Sequence, residues 1–195
     1  MTQEQELTAY VLAGGKSSRM GQDKGLLFLN GTPMVKHVLN ALENYAQSIV
    51  ILANNDSYNH FGHPVFKDEV KNSGPLSGLC KGLSISKTDW NIFLSCDNPH
   101  IHPDFISFLI SKKEGYQAVV PYYKNKSYPL TAVYHTSCFE VFNNQLKNKK
   151  LKVKDALSLI KVKLIDVHND YPLFNEKLLT NINTPEDFEK HKNYC

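Results

Sequence analysis

The segment that most constrains the fold lies near the start of the chain. Thr8 to Ala13 (TAYVLA) reads as a buried strand and runs directly into GGKSSRMGQDKG, Gly14 to Gly25. Between Leu12 and Gly25 there are four glycines and four charged side chains, three of them cationic: Lys16, Arg19 and Lys24. Glycine lets the backbone turn tightly and approach a ligand closely. Backbone N–H groups exposed in this way bind phosphate oxygens, and the three cations supply charge that a polyphosphate would neutralise. The loop therefore suits a nucleoside triphosphate. It is neither the P-loop GxxxxGK[ST] nor the dinucleotide fingerprint GxGxxG. A glycine-shaped turn with solvated cations would explain a lone glycine pair, but not the joint occurrence of Gly14-Gly15, Arg19 and Asp23-Lys24-Gly25.

Beyond the loop, Pro33 to Gln47 reads as an amphipathic helix with Met34, Val35, Val38, Leu39, Leu42 and Ala46 on one face. A second strand follows at Ile49–Ala53, a helix at Leu76–Ser86, a strand at Ile92–Leu94 and a helix at Pro103–Lys112. This alternation predicts a parallel sheet with helical crossovers. The second half is less regular, with strands at Ala118–Val120 and Leu130–Tyr134, helices at Ser137–Leu146 and Val153–Ile160, and a strand at Lys163–Val167. A last helix is signalled by Thr184 as N-cap, Pro185 at the first helical position, and Glu186 and Asp187 in the first turn. Lys147 to Lys150 reads as a solvated turn.

A chain of 195 residues with 42% apolar and 21% charged residues can bury one core and is expected to form a single domain, 1–195. The formal charge of +3 is far from the concentrated basic surface that duplex nucleic acid needs, so a small anionic ligand is the better match. Cys80, Cys96, Cys138 and Cys195 stand too far apart for a zinc site or a disulfide framework and read as reduced thiols. MTQEQELTAY has neither a basic start nor an apolar core, and no stretch approaches the ~20 apolar residues that a membrane span requires. The expectation is a cytoplasmic, soluble protein with no nucleic-acid or membrane partner.

The opening segment, Leu12 to Lys24, resembles the signature LAGGxSxRMGxDK of molybdenum cofactor guanylyltransferases, the MobA family within the GT-A-like nucleotidyltransferases. Further stations match in order: Asp68 in VFKDEV, GPLSG at Gly74–Gly78, Asp97 in FLSCDNP, and NINTPEDF at Asn181–Phe188. The resemblance implies an α/β fold: three-layer α/β/α with a mostly parallel Rossmann-like sheet. It implies transfer of GMP from GTP to the terminal phosphate of molybdopterin or Mo-molybdopterin, with release of pyrophosphate. Residues up to about 110 would bind GTP and the rest molybdopterin, with Tyr122, Tyr123, Lys124, Lys126 and the Tyr128-Pro129-Leu130 turn lining the pterin pocket. Implied catalytic residues are Arg19, Lys24 and Asp97. The implied GTP contacts are Leu12, Ala13, Gly14, Gly15, Lys24, Asp68, Pro75, Leu76, Gly78 and Asp97, with Mg²⁺ as cofactor on Asp97. A molybdoenzyme or another protein of the cofactor pathway is a further partner class.

Each residue has a plainer reading beside this one. Asp97 at the end of a strand would point into the ligand crevice of an open α/β sheet, where one aspartate plus substrate phosphates suffices for magnesium. It could equally start a turn with Asn98-Pro99. Asp68 could belong to an ordinary charged turn, and Asn54, after the second strand, either bonds base or ribose or makes a turn with Asn55-Asp56. Gly78 inside a helix costs ~1 kcal/mol against alanine, a cost that close approach of a flat base would justify. Asn181 and Asn183 could reach the second substrate, although capping accounts for the segment around Thr184. His100 and His102 lack a third ligand at metal spacing and read as exposed loop residues, and Ser17 and Ser18 lack the G-x-S-x-G context of a nucleophile. Rival functions are a relative with another nucleotide or acceptor (a cytidylyl branch, a cobalamin-precursor or phospho-sugar guanylyltransferase) and a noncatalytic adaptor that delivers the cofactor.

Overall fold

The computed structural model describes residues 7–13, 23–67 and 74–192. In chain order the strands are β1 (Leu7–Leu12), β2 (Phe28–Leu29), β3 (Thr32–Pro33), β4 (Ser48–Leu52), β5 (Val65–Phe66), β6 (Trp90–Ser95), β7 (Ala118–Tyr123), β8 (Lys126–Ser127), β9 (Thr131–His135) and β10 (Val162–Asp166). The helices are α1 (Met34–Leu42), α2 (Gly74–Ile85), α3 (Pro103–Ser111), α4 (Cys138–Lys147), α5 (Val153–Leu157), α6 (Val167–Asp170) and α7 (Pro185–His191).

The main sheet has the order β10-β7-β9-β6-β1-β4-β5, with β8 paired to β7. β1 is parallel to both β4 and β6, and β4–β5 and β7–β10 are parallel as well. The expected crossovers therefore hold through the first half. β9 instead runs antiparallel to β6 and β7. The reason is local: β7 ends in a tight hairpin whose Lys124 and Asn125 sit at φ 46° and 62°, so the chain reverses without a helix.

Side chains of β1 alternate between the two faces. Leu7, Ala9, Val11 and Ala13 pack with Val35, Val38, Leu39 and Leu42 of α1 and Phe105, Ile106 and Leu109 of α3. Tyr10 and Leu12 face the opposite way, among Leu76, Leu79 and Leu83 of α2, Phe142 of α4 and Ala156 of α5. Two apolar clusters on one sheet make the three-layer α/β/α arrangement, and burial of these faces is its main source of stability. α2 lies so close to the sheet that a Cβ on Gly82 would come 2.5 Å from Phe93 Cε1 and 3.1 Å from Tyr10 Cδ1.

Several ends differ from the periodicity. α1 stops at Leu42 rather than Gln47 because the chain tightens into a turn, and Gln47 N–H is then drawn to Leu7 C=O at 3.0 Å. α5 ends at Leu157, short of Ile160. Val167 is the first residue of α6 rather than the last of a strand, since Asp166 accepts the His168 N–H at 3.2 Å and caps that turn. The hairpin β2–β3, turned by Asn30 and Gly31 at φ 51° and 76°, is an addition in a stretch without helical or strand periodicity. Among the described residues no helix is long and apolar enough to cross a membrane, and Cys80, Cys96 and Cys138 are buried and form no disulfide.

Candidate active site

The chain leaves β1 toward β4 on one side and later returns to its other side as β6. Such a reversal of strand order opens a crevice at the carboxyl ends of the strands. The backbone ladder continues past the strands: Ala13 N–H donates to Leu52 C=O at 2.9 Å and Cys96 N–H to Leu12 C=O at 3.0 Å. Leu12-Ala13, Ala53-Asn54 and Cys96-Asp97 therefore finish side by side along one edge, with Asn54 exposed there.

Asp97 is the chemically loaded member of that edge. Its Oδ1 is buried and has no hydrogen-bond partner among the described residues. Burial raises the pKa of the carboxyl, while hydrogen bonding from Ser95 and the charges of Lys24 and Lys126 pull it back down. An orphaned carboxylate oxygen is costly inside a protein, and a divalent cation would satisfy it. Among the described residues no three His, Cys, Asp or Glu side chains gather as a ready-made metal cage. The residues present thus fit a site of the magnesium type, in which one carboxylate and substrate phosphates share the ion.

Lys24 opens a single 3-10 turn, Lys24–Leu26, and its Nζ donates to Asn183 Oδ1 at 2.7 Å. The turn is pinned from beneath. The Asp23 carboxylate accepts from Gly25 N–H at 3.2 Å, from Tyr58 O–H at 2.5 Å and from Asn55 Nδ2 at 3.1 Å. Tyr58 is fully buried, and a Cβ on Gly25 would collide with its hydroxyl and lie 3.2 Å from Cys96 Sγ. Burial, with the charges of Asp97 and Asp23, pushes the Cys96 thiol up against the opposing pull of Lys24, so Cys96 is a packing residue rather than a nucleophile.

The C-terminal segment is stitched to the same edge. Ile182 N–H donates to Asp97 C=O at 2.8 Å, and the buried Asn98 Nδ2 donates to Leu178 C=O at 3.0 Å. α7 starts in the expected capping box of Thr184 and Asp187. Capping is only part of what this segment does, because the same turn delivers Asn183 to Lys24. His100 is also not an exposed loop residue: its Nε2 lies 2.9 Å from His191 Nδ1, joining the loop after β6 to α7. His102 instead caps α3, accepting from Asp104 N–H at 3.3 Å.

Of the remaining sequence candidates, GPLSG forms the first turn of α2 rather than a turn ahead of it. Pro75 is exposed at the end of that helix. Leu76 is fully buried in the core, which leaves its backbone, not its side chain, for a ligand. A Cβ on Gly78 would come 3.0 Å from Leu12 Cδ2, so helix-to-strand packing by itself explains the glycine. Gly14, Gly15, Arg19 and Asp68, with Ser17 and Ser18, lie outside the described residues. Asp23, Asn55 and Tyr58 were not visible as site residues from pattern. The sole hint was the DK pair in the loop, because the partners of Asp23 lie 32 and 35 positions away.

Comparison with known proteins shows the family and the fold. Residues 9–161 match the family model described as the MobA-like NTP transferase domain. The chain is 36% identical, over 95% of each sequence, to the "Probable molybdenum cofactor guanylyltransferase" of Carboxydothermus hydrogenoformans. It is 32% identical to the protein of that name from Clostridium perfringens, covering 93% of this chain and 94% of the other. Among solved structures, molybdopterin-guanine dinucleotide biosynthesis protein A from Archaeoglobus fulgidus superposes with a TM-score of 0.81 at 21% identity, covering 95% of this chain and 96% of that one.

Proposed function

The chain belongs to the MobA-like NTP transferase family and is a nucleotidyltransferase, and from that premise we propose that it transfers GMP from GTP to the terminal phosphate of molybdopterin, in its free or molybdenum-bound form, releasing pyrophosphate. One observation carries the reading. In a chain 36% identical to a named molybdenum cofactor guanylyltransferase, Lys24, Asn183 and Asp97, whose Oδ1 has no partner among the described residues, converge on the carboxyl edge of β1 and β6.

The acceptor phosphate is already an anion, so neither a covalent intermediate nor a strong general base is needed. An acceptor oxygen bonds to the α-phosphorus as the bond from that phosphorus to the bridging oxygen breaks, and pyrophosphate departs with the electron pair. The demand on the protein is to align two anions and offset their repulsion. Lys24, held by Asn183 and by the turn built on Asp23, stabilises charge that grows on the departing pyrophosphate. Arg19 shares that role, and the Gly14 and Gly15 amides cradle the phosphates. Asp97 would hold Mg²⁺, whose chemistry is to neutralise phosphate charge and polarise the α-phosphoryl group. Leu12 and Ala13 carry backbone at the nucleotide edge, Asn54 and Asp68 flank base and ribose, and the start of α2 at Pro75, Leu76 and Gly78 borders the base.

The test is product analysis after mixing the purified protein with Mg-GTP and molybdopterin. Molybdopterin guanine dinucleotide and pyrophosphate should form in equal amounts, and only when both substrates are present. Equal or faster turnover with CTP, or none with molybdopterin, would refute the assignment.

A further inference from the structure

The two lysines of the β7–β8 hairpin look alike in sequence, yet the structure gives them different fates. Lys124 is engaged: its Nζ lies 2.8 Å from Glu176 Oε1, an oxygen that also accepts from Tyr123 O–H at 2.7 Å. Lys126 makes no ion pair among the described residues. Its ammonium instead sits 4.7 Å from the centroid of the Tyr128 ring. That ring is anchored, because it packs on the core below and Tyr128 N–H donates to Pro121 C=O at 2.9 Å.

The strand register tells where this cation stands. β6 and β9 are antiparallel with Leu94 opposite Thr131, so the residues leading into β9, Tyr128 to Leu130, come in beside the end of β6 where Ser95, Cys96 and Asp97 lie. The hairpin is tight, with Tyr123 opposite Lys126 and a two-residue turn between them whose Asn125 side chain accepts from Tyr122 O–H at 2.7 Å. Lys24 stands on the other side, in the turn that follows β1, with its Nζ held by Asn183 Oδ1. Lys24 and Lys126 thus stand on opposite flanks of the end of β6, and of the two only Lys24 belongs to the loop after β1.

We propose that Lys126, seated on Tyr128, binds the terminal phosphate of the acceptor and holds it against the α-phosphate of the nucleotide. This rests on the guanylyltransferase reading and adds to it a specific recognition element for a phosphate monoester. A dianionic acceptor approaching a bound triphosphate meets strong repulsion, and a cation on the acceptor side offsets it without touching the nucleotide. The cation–π seat keeps a long side chain from wandering while leaving its N–H groups free for phosphate oxygens. In the step itself no proton moves through Lys126.

Three variants and two readouts test this. Initial rates are measured for the parent protein, Lys126→Met, Lys126→Arg and the exposed control Lys150→Met, varying molybdopterin and GTP separately. Molybdopterin binding without nucleotide is followed in parallel by its fluorescence. Lys126→Met should raise the acceptor KM and Kd about 10- to 100-fold, the range for loss of a charge-assisted contact, with the GTP KM within about twofold. Lys126→Arg should recover most of the loss, and Lys150→Met should match the parent. An unchanged acceptor KM and Kd in Lys126→Met, or an equal rise in the GTP KM, would overturn the proposal. A parent protein that binds molybdopterin in a Lys126-dependent way but does not guanylylate it would sink the function and leave this site standing.

Discussion

Replacing Tyr58 by phenylalanine removes one hydroxyl from beneath the Asp23–Leu26 turn and nothing else. That hydroxyl donates to Asp23 at 2.5 Å from a fully buried ring. A hydrogen bond to a charged group contributes about 1.5–3 kcal/mol, and an acceptor left short inside a protein keeps most of that cost. Asp23 retains Gly25 N–H and Asn55 Nδ2 and is partly open to water, so the lower end, about 1.5 kcal/mol, applies. For a domain of this size that is a fall in Tm of roughly 3–6 °C. If the Asp23 turn fixes Lys24, the same slackening appears in catalysis: kcat falls about tenfold, while the KM for molybdopterin stays near its parent value. Differential scanning calorimetry and pyrophosphate release read the two effects. Tyr171→Phe is the matched control, since its buried hydroxyl has no partner among the described residues. Its removal should be neutral or stabilising. A Tyr58→Phe protein that melts lower but turns over at the parent rate would refute the link from Asp23 to Lys24, and equal melting shifts in the two variants would refute the hydrogen-bond argument altogether.

Asp97→Asn keeps the shape of the side chain and removes its charge; turnover should fall by about 10³ or more, while Tm without ligands is no lower than the parent's, because burial already disfavours the carboxylate. Gly82→Ala should cost about 1–3 kcal/mol, read by urea unfolding, since the added carbon lands on the stacked Phe93 and Tyr10 rings; parental stability would show that α2 can lift off the sheet. His100 has its pKa lowered to about 4, first by burial and then by His191, Lys177 and His37. Its neutral form is favoured in the folded state, so the stability it contributes is complete above the unfolded value of about 6.5 and drains away as pH falls toward 4. His100→Gln should flatten the Tm profile in that window, and an unchanged profile would exclude the histidine pair as its cause.

The readable part of the fold was the part whose causes are local. β1, β4 and β6 are dense apolar runs buried on both faces, and α1, α3 and α7 carry their faces or caps in the sequence itself. The antiparallel β9 was not readable as such, because its direction depends on the Lys124-Asn125 turn and an apolar strand has the same composition in either sense. Of the site, Lys24 and Asp97 stood out by position after strands. The Asp23 hub did not, since a carboxylate that accepts from Tyr58 and Asn55 is indistinguishable in sequence from a solvated one. The role of Asn183 was hidden for a further reason: the capping signal at Thr184 already accounted for the residues around it.

The bonds from Ile182 to Asp97 and from Asn183 to Lys24 make the tail of the polypeptide a working part of its head. Cutting the chain between β6 and β7 would therefore leave its first part without the residue that holds Lys24. Trimming α7 and the turn before it should silence chemistry carried some 160 positions upstream. A tag or fusion at this terminus pulls on the same thread, and linkers placed there need slack.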